Sequence, residues 1–100
     1  MSSKVYIVEA ARLPIGKYGG MYSDVGPEEL GGFLMKTMLA KHPGLNGHID
    51  EVIVGNVIGG GGNVARRVAL KAGLPVETPA VTVDRQCASG LEAIAIGHMK

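Results

Sequence analysis

The side chain best suited to covalent chemistry in this sequence is a cysteine, and it occurs once, at position 87. A solitary cysteine is usually a small buried hydrophobe. The setting of Cys87 argues for more. Ala80 to Val83 (AVTV) reads as a short strand, and Ala88 to Lys100 reads as a helix, so Cys87 stands where a strand gives way to a helix. Open α/β sheets gather their sites at the carboxyl ends of strands. The unpaired N–H groups and the dipole at a helix start favour a thiolate, the reactive form of the side chain. The same N–H groups can hold the oxyanion of a tetrahedral intermediate. Ala88, Ser89 and Gly90 are small and let substrate and backbone approach. The arrangement follows the logic of a nucleophile elbow with sulfur in place of oxygen. It predicts a nucleophile at Cys87.

Other chemistry-bearing residues fit plainer roles. His42, His48 and His98 lack metal-ligand spacing and a second cysteine, so they read as exposed loop or helix-surface residues and no metal is expected. Gly59 to Gly62 and Asn63 precede a helix and could cradle a phosphate. They lack the Lys-Ser/Thr of a P-loop and the GxGxxG fingerprint, so a loop near the site or a subunit contact is the expectation. Arg66 and Arg67 read as surface charges of a helix. Glu28 and Glu29 read as helix-start acids and not as a catalytic carboxylate pair. Ser89 has no neighbouring base and is not a second nucleophile.

The elements that must position Cys87 alternate. Val5 to Ala11 (VYIVEAA) is nearly all apolar and reads as a strand buried on both faces. Arg12 to Gly26 is loop, rich in Gly and carrying Pro14. Pro27 suits the first helical position, and Leu30, Phe33, Leu34, Met38 and Leu39 follow at helical spacing until His42-Pro43-Gly44 stops the helix. Gly31 and Gly32 weaken that helix by about 1 kcal/mol each relative to alanine, which suggests close packing there. Asp50 to Ile58 (DEVIVGNVI) reads as a second strand, with Gly55 marking a bend or bulge. Asn63 can cap the next helix, whose apolar stripe is Val64, Ala65, Val68, Ala69 and Ala72, and Gly73 suits the position just past its end. The order βαβαβα predicts an α/β fold with right-handed crossovers and a parallel sheet.

The last helix is apolar on every side: Leu91, Ala93, Ile94, Ala95, Ile96 and Met99 leave no polar face. Such a helix is expected to be buried all round. With no stop signal after Lys100, the pattern implies that residues 1–100 are a piece of a larger fold, or that a partner completes the burial.

Composition narrows the function class. The chain has 100 residues, 46% of them apolar, which suits one folded unit. Ten basic residues against nine acidic ones leave a formal charge of +1, with no basic run, so neither nucleic acid nor an anionic membrane surface is an expected partner. No apolar run approaches the roughly 20 residues of a membrane helix. The opening Met1-Ser2-Ser3-Lys4-Val5-Tyr6 lacks the pattern of a secretory leader, and one cysteine forms no internal disulfide; a reducing compartment, the cytoplasm, is the expectation.

Three stretches together resemble the thiolase family. Asp84-Arg85-Gln86-Cys87-Ala88-Ser89-Gly90-Leu91-Glu92-Ala93 is similar to the thiolase active-site segment. Glu9-Ala10-Ala11-Arg12-Leu13-Pro14-Ile15-Gly16-Lys17-Tyr18-Gly19-Gly20 is similar to the family's opening. Gly55-Asn56-Val57, Asn63-Val64-Ala65-Arg66 and Ala72-Gly73-Leu74-Pro75 resemble a third segment. The matches occur in order and span nearly the whole chain. The sequence departs at position 84, where Asp replaces the common Asn, and at position 13, where Leu replaces the common Thr.

The resemblance implies that residues 1–100 are the N-terminal part of a thiolase N-terminal domain, within a larger layered α/β/α/β/α fold that buries the last helix between two sheets. It implies that Cys87 attacks an acyl-CoA thioester and forms an acyl-enzyme, its own backbone N–H helping to bind the oxyanion. The acyl group then passes to the α-carbon of a second acetyl-CoA, or to CoA after cleavage of a 3-ketoacyl-CoA, as in fatty acid metabolism. Coenzyme A enters as substrate and no cofactor is expected. A homodimer or homotetramer is the expected assembly. The family's activating His, second Cys and CoA-binding loop domain match no residue of this sequence, so the 100 residues alone are expected to be inactive. Two other readings stand beside this one: a truncated, non-catalytic fragment that only dimerises, and a ketoacyl-synthase-type condensing enzyme, which the Arg12-Leu13-Pro14-Ile15-Gly16 opening and the Asp84-Arg85-Gln86-Cys87 lead disfavour.

Overall fold

Two short strands pair in parallel, β1 (Val52–Gly55) and β2 (Ala80–Val83), with Val52 opposite Ala80 and Gly55 opposite Val83. A computed structural model describes residues 4–100. Met1, Ser2 and Ser3, part of the opening read for a leader, lie outside the described residues. Three helices surround the pair: α1 (Pro27–Ala40), α2 (Val64–Lys71) and α3 (Ser89–Met99), with a 3-10 segment at Pro43–His48. The crossover helix α2 packs on both strands and on α1, whereas α3 touches both strands and not α2, which places it on the opposite face.

Each helix begins or ends where its sequence dictates. Pro27 opens α1, with Glu28 and Glu29 in its first turn. The Arg66 N–H donates to Asn63 Oδ1 at 3.2 Å, so Asn63 caps α2 as expected. Past the far end of α2, Gly73 takes φ +85°. The Gly73 N–H donates to the Leu70 carbonyl and the Leu74 N–H to the Ala69 carbonyl, each at 3.1 Å. That is a Schellman motif, in which a residue with positive φ satisfies the last free carbonyls of the helix.

The core is small and lies between α2 and the sheet. Val52, Ala65, Ala69 and Leu74 are buried together, with Met35, Leu39, Val54 and Ala80 packed around them. Alanine at 65 and 69 lets the α2 backbone come close to the strands. Ile53, next along β1, faces the other way, with its Cδ1 beside Gly97 of α3. The close packing expected at Gly31 and Gly32 is present: a Cβ on Gly31 would lie 2.8 Å from Val68 Cγ2, and one on Gly32 would lie 2.5 Å from Lys71 Cβ.

Three expectations need correction. Val5 to Ala11 is not a strand: no backbone hydrogen bond ties it to β1 or β2, and Val5, Tyr6, Ile7 and Val8 are exposed. Its apolar run marks a capacity for burial, but pairing depends on residues far away in the chain. Val5 and Ile7 border a groove with Leu91, Ile94 and Met99 of α3, whereas Val8 borders a cavity on the α1 side. The second strand is shorter than Asp50 to Ile58, and Gly55 ends it in register without a bulge. Helix α3 was expected to need cover from outside residues 1–100, and among the described residues it is only partly covered. The narrow sheet covers one stripe, burying Ser89 and Ala93, and leaves Leu91 72% and Ile94 69% exposed. In α1 Phe33, expected on the apolar stripe, is exposed, and only Gly32 is fully buried.

Candidate active site

Cys87 lies on the turn between β2 and α3 and is exposed to solvent. The strand ends at Val83 and the helix cap is Ala88, so the thiol sits one residue before the cap at the carboxyl end of the sheet.

The turn is fixed by hydrogen bonds from both sides. Asp84 Oδ1 accepts from the Gln86 N–H at 3.0 Å. An asparagine could accept the same bond through its amide oxygen, so the change from the family's usual residue leaves the turn intact. Ser89 is 4% exposed, and its Oγ accepts from the Arg85 N–H and donates to the Gln86 carbonyl, both at 2.7 Å. The Ala88 N–H donates to the Arg85 carbonyl at 3.0 Å and the Ser89 N–H to the Gln86 carbonyl at 3.1 Å. Gln86, immediately before the cysteine, has φ +50° and is the non-glycine residue with positive φ among the described residues. Such a backbone is held only where its surroundings enforce it.

The charges beside the thiol are engaged with each other. The Arg85 guanidinium pairs with the Glu92 carboxylate one turn into α3. Arg85 is therefore a strap across the start of the helix. On the other side, Gly55 at the tip of β1 lies against the Ser89 and Gly90 backbone, leaving no room for a side chain there. The Asn56 N–H donates to the Val83 carbonyl at 2.9 Å and extends the β1–β2 ladder to the base of the turn.

A second network steadies β2. Asn63 Nδ2 donates to the Ala80 carbonyl at 2.9 Å, and Thr82 Oγ1 accepts from the Ala65 N–H at 2.9 Å and donates to Asn63 Oδ1. One asparagine thus caps α2 and ties its start to the strand that leads to Cys87. Arg66, read from sequence as a surface charge, donates from Nη1 to the Thr78 carbonyl at 3.1 Å just before that strand. Arg67 bonds the Gly61 carbonyl and faces Glu28 at 3.8 Å, so the glycine loop is held by a cation from its own helix.

The remaining candidates stand apart from Cys87. His42 Nε2 donates to Glu9 Oε1 at 3.0 Å, and this bond, with the nearby Lys41 charge, holds the Glu9 carboxyl below its ordinary pKa. This histidine was expected to be an exposed loop or helix-surface residue; it is half-buried and ties the N-terminal segment to the end of α1. A cavity of about 520 Å³, lined by apolar residues such as Leu30, Leu34, Met38, Val54 and Val68, opens between α1 and β1 and does not include Cys87. Among the described residues no three His, Cys, Asp or Glu side chains gather as a metal site, and no helix is long and apolar enough to cross a membrane.

The roles of Asn63 and Ser89 in holding the turn were missed by sequence reasoning. The cap signal located Asn63 but not its reach to β2. Nothing in the local sequence marks a buried serine bonding back across three residues, and a glutamine with positive φ carries no signal at all.

This geometry can be set beside known proteins. The family model for the thiolase N-terminal domain matches residues 5–100. The chain belongs to the thiolase family. VraB of Staphylococcus aureus (strain COL), named for an acetyl-CoA C-acetyltransferase, is 46% identical over 92 residues, covering 92% of this thiolase chain and 24% of its own length. The VraB of Staphylococcus epidermidis (strain ATCC 35984) is 44% identical over 88 residues, covering 88% of this chain and 23% of its own. The crystal structure of human mitochondrial 3-ketoacyl-CoA thiolase in complex with CoA superposes with a TM-score of 0.77 at 37% identity, over 86% of this chain and 22% of that one. This thiolase chain therefore spans about a quarter of the length of the curated relatives it matches. Its parallel sheet flanked by helices is the α/β arrangement expected for the thiolase fold.

Proposed function

We propose that this chain supplies the nucleophile of a thiolase-type acyltransferase, with Cys87 as the residue acylated by acyl-CoA. The observation that carries the proposal is the exposed thiol on a tightly bonded strand-to-helix turn, in a chain of the thiolase family. The Cys87 sulfur attacks the thioester carbonyl carbon and a new carbon–sulfur bond forms. The tetrahedral oxyanion collapses, the bond to the CoA sulfur breaks, and CoA leaves as the thiol, carrying the proton that Cys87 gave up. The backbone N–H of Cys87 helps to bind the oxyanion.

The acyl group then goes to the α-carbon of a second acetyl-CoA, which must first lose a proton, or returns to CoA in the thiolytic direction. No residue of this sequence is assigned to that proton transfer, so we place these residues in the N-terminal part of the domain within a larger protein. Coenzyme A is substrate in this scheme and no cofactor takes part. Homodimeric or homotetrameric assembly in the cytoplasm completes the proposal.

The experiment is intact-mass analysis of the full native polypeptide carrying this sequence after incubation with acetyl-CoA. One acetyl adduct that maps to Cys87 and is absent from Cys87→Ala is expected. A folded protein without the adduct overturns the assignment, and a stable dimer by sedimentation with an unreactive Cys87 would favour a purely dimerising role.

A further inference from the structure

We propose that Ser89 is a positioning residue for acyl transfer, its hydroxyl setting the backbone from which the Cys87 thiol projects. This inference rests on the reading of Cys87 as nucleophile. Ser89 is buried at 4% exposure, and its hydroxyl is used entirely on the two residues before the cysteine. It accepts from the Arg85 N–H and donates to the Gln86 carbonyl, so a single oxygen bridges the two peptide units that flank residues 85 and 86. Between those two bonds lies the φ of Gln86, at +50°. A side chain with Cβ avoids that region unless held there.

The other bonds to this turn do not replace the hydroxyl. The Asp84 carboxylate holds the Gln86 N–H, and the Ser89 N–H shares the Gln86 carbonyl, but the Arg85 N–H has Ser89 Oγ as its partner. Removing the hydroxyl leaves that N–H unpaired and lets Gln86 relax toward negative φ. Cys87 follows Gln86 directly, so a rotation there swings the thiol. Position matters steeply in attack on a carbonyl: a misplacement of about 1 Å can slow reaction by about a hundredfold.

The test compares Ser89→Ala and Ser89→Thr with the unaltered full native polypeptide, measuring single-turnover acetylation of Cys87 across acetyl-CoA concentrations together with thermal unfolding. Ser89→Ala is expected to lower the acylation rate constant at saturation by about tenfold or more, with half-saturation changed by less than about threefold. Ser89→Thr keeps the hydroxyl and is expected to acylate within about threefold of the unaltered protein. A merely structural serine would lower the melting temperature and leave the rate constant of the folded protein unchanged; that result in Ser89→Ala overturns the proposal. Should Ser89→Ala not fold, Ser89→Thr decides: a rate within about threefold supports the role, and a folded protein slower by about tenfold overturns it. Absence of acylation in the unaltered protein would instead refute the nucleophile assignment, so the two failures are distinct.

Discussion

Gly55 and the backbone of Ser89 are in direct contact: a Cβ on Gly55 would stand 2.5 Å from the Ser89 carbonyl carbon. The tip of β1 is thereby the floor on which α3 begins. Because the obstacle is backbone, no rotamer change relieves it. Gly55→Ala should push the start of α3 outward and destabilise the protein by about 1–3 kcal/mol, the range for overpacking a tight contact. Urea denaturation with acylation kinetics on the same sample checks this. Unchanged stability together with an unchanged Cys87 acylation rate would show that the contact is unimportant.

Asn63 performs two separable tasks, and two substitutions should separate them. Asn63→Ala removes the cap on α2 and the link to Ala80, and should cost about 1–2 kcal/mol, toward the upper range for N-caps. Asn63→Asp keeps an acceptor for the Arg66 N–H but has no donor for the Ala80 carbonyl, so its loss should be the smaller. Equal losses in chemical denaturation would contradict the division of roles.

The Glu9–His42 pair gives a pH prediction. The folded Glu9 carboxyl titrates below its ordinary range because His42 donates to it and Lys41 lies nearby. The contact therefore contributes fully above the ordinary carboxylate range and is lost as pH falls through the lowered folded value. Carbon-13 NMR of the Glu9 carboxyl should show its midpoint rising toward the ordinary range in His42→Ala. An unmoved midpoint would mean that the histidine bond is not its cause.

Local signals proved legible and distant ones did not. Pro27, Asn63 and Gly73 act at helix ends within a few residues of themselves, and each is where the sequence says it should be. Cys87 on a strand-to-helix turn follows from the same kind of signal. Val5 to Ala11 fails because its apolar character says nothing of which strand, if any, it pairs with. The all-apolar α3 was legible as a helix that needs more cover than these residues give, and a sheet two strands wide leaves its far face exposed. Ser89 was read for its small size and for reactivity; its use as a backbone clamp depends on the unusual φ of Gln86, which no residue type announces.

The parallel pairing of β1 with β2 bears on the order of folding. No ladder bond between them can form until the loop, α2 and the return segment have closed into a crossover, and such non-local contacts are made slowly. The turn carrying Cys87 hangs from the end of that ladder, on the Asn56–Val83 bond and the Gly55–Ser89 contact. The thiol thus acquires its set geometry late, after the crossover is complete. During refolding, Cys87 should react with an alkylating reagent as an unstructured thiol would until β1 and β2 have met, and only then at the rate of the native turn.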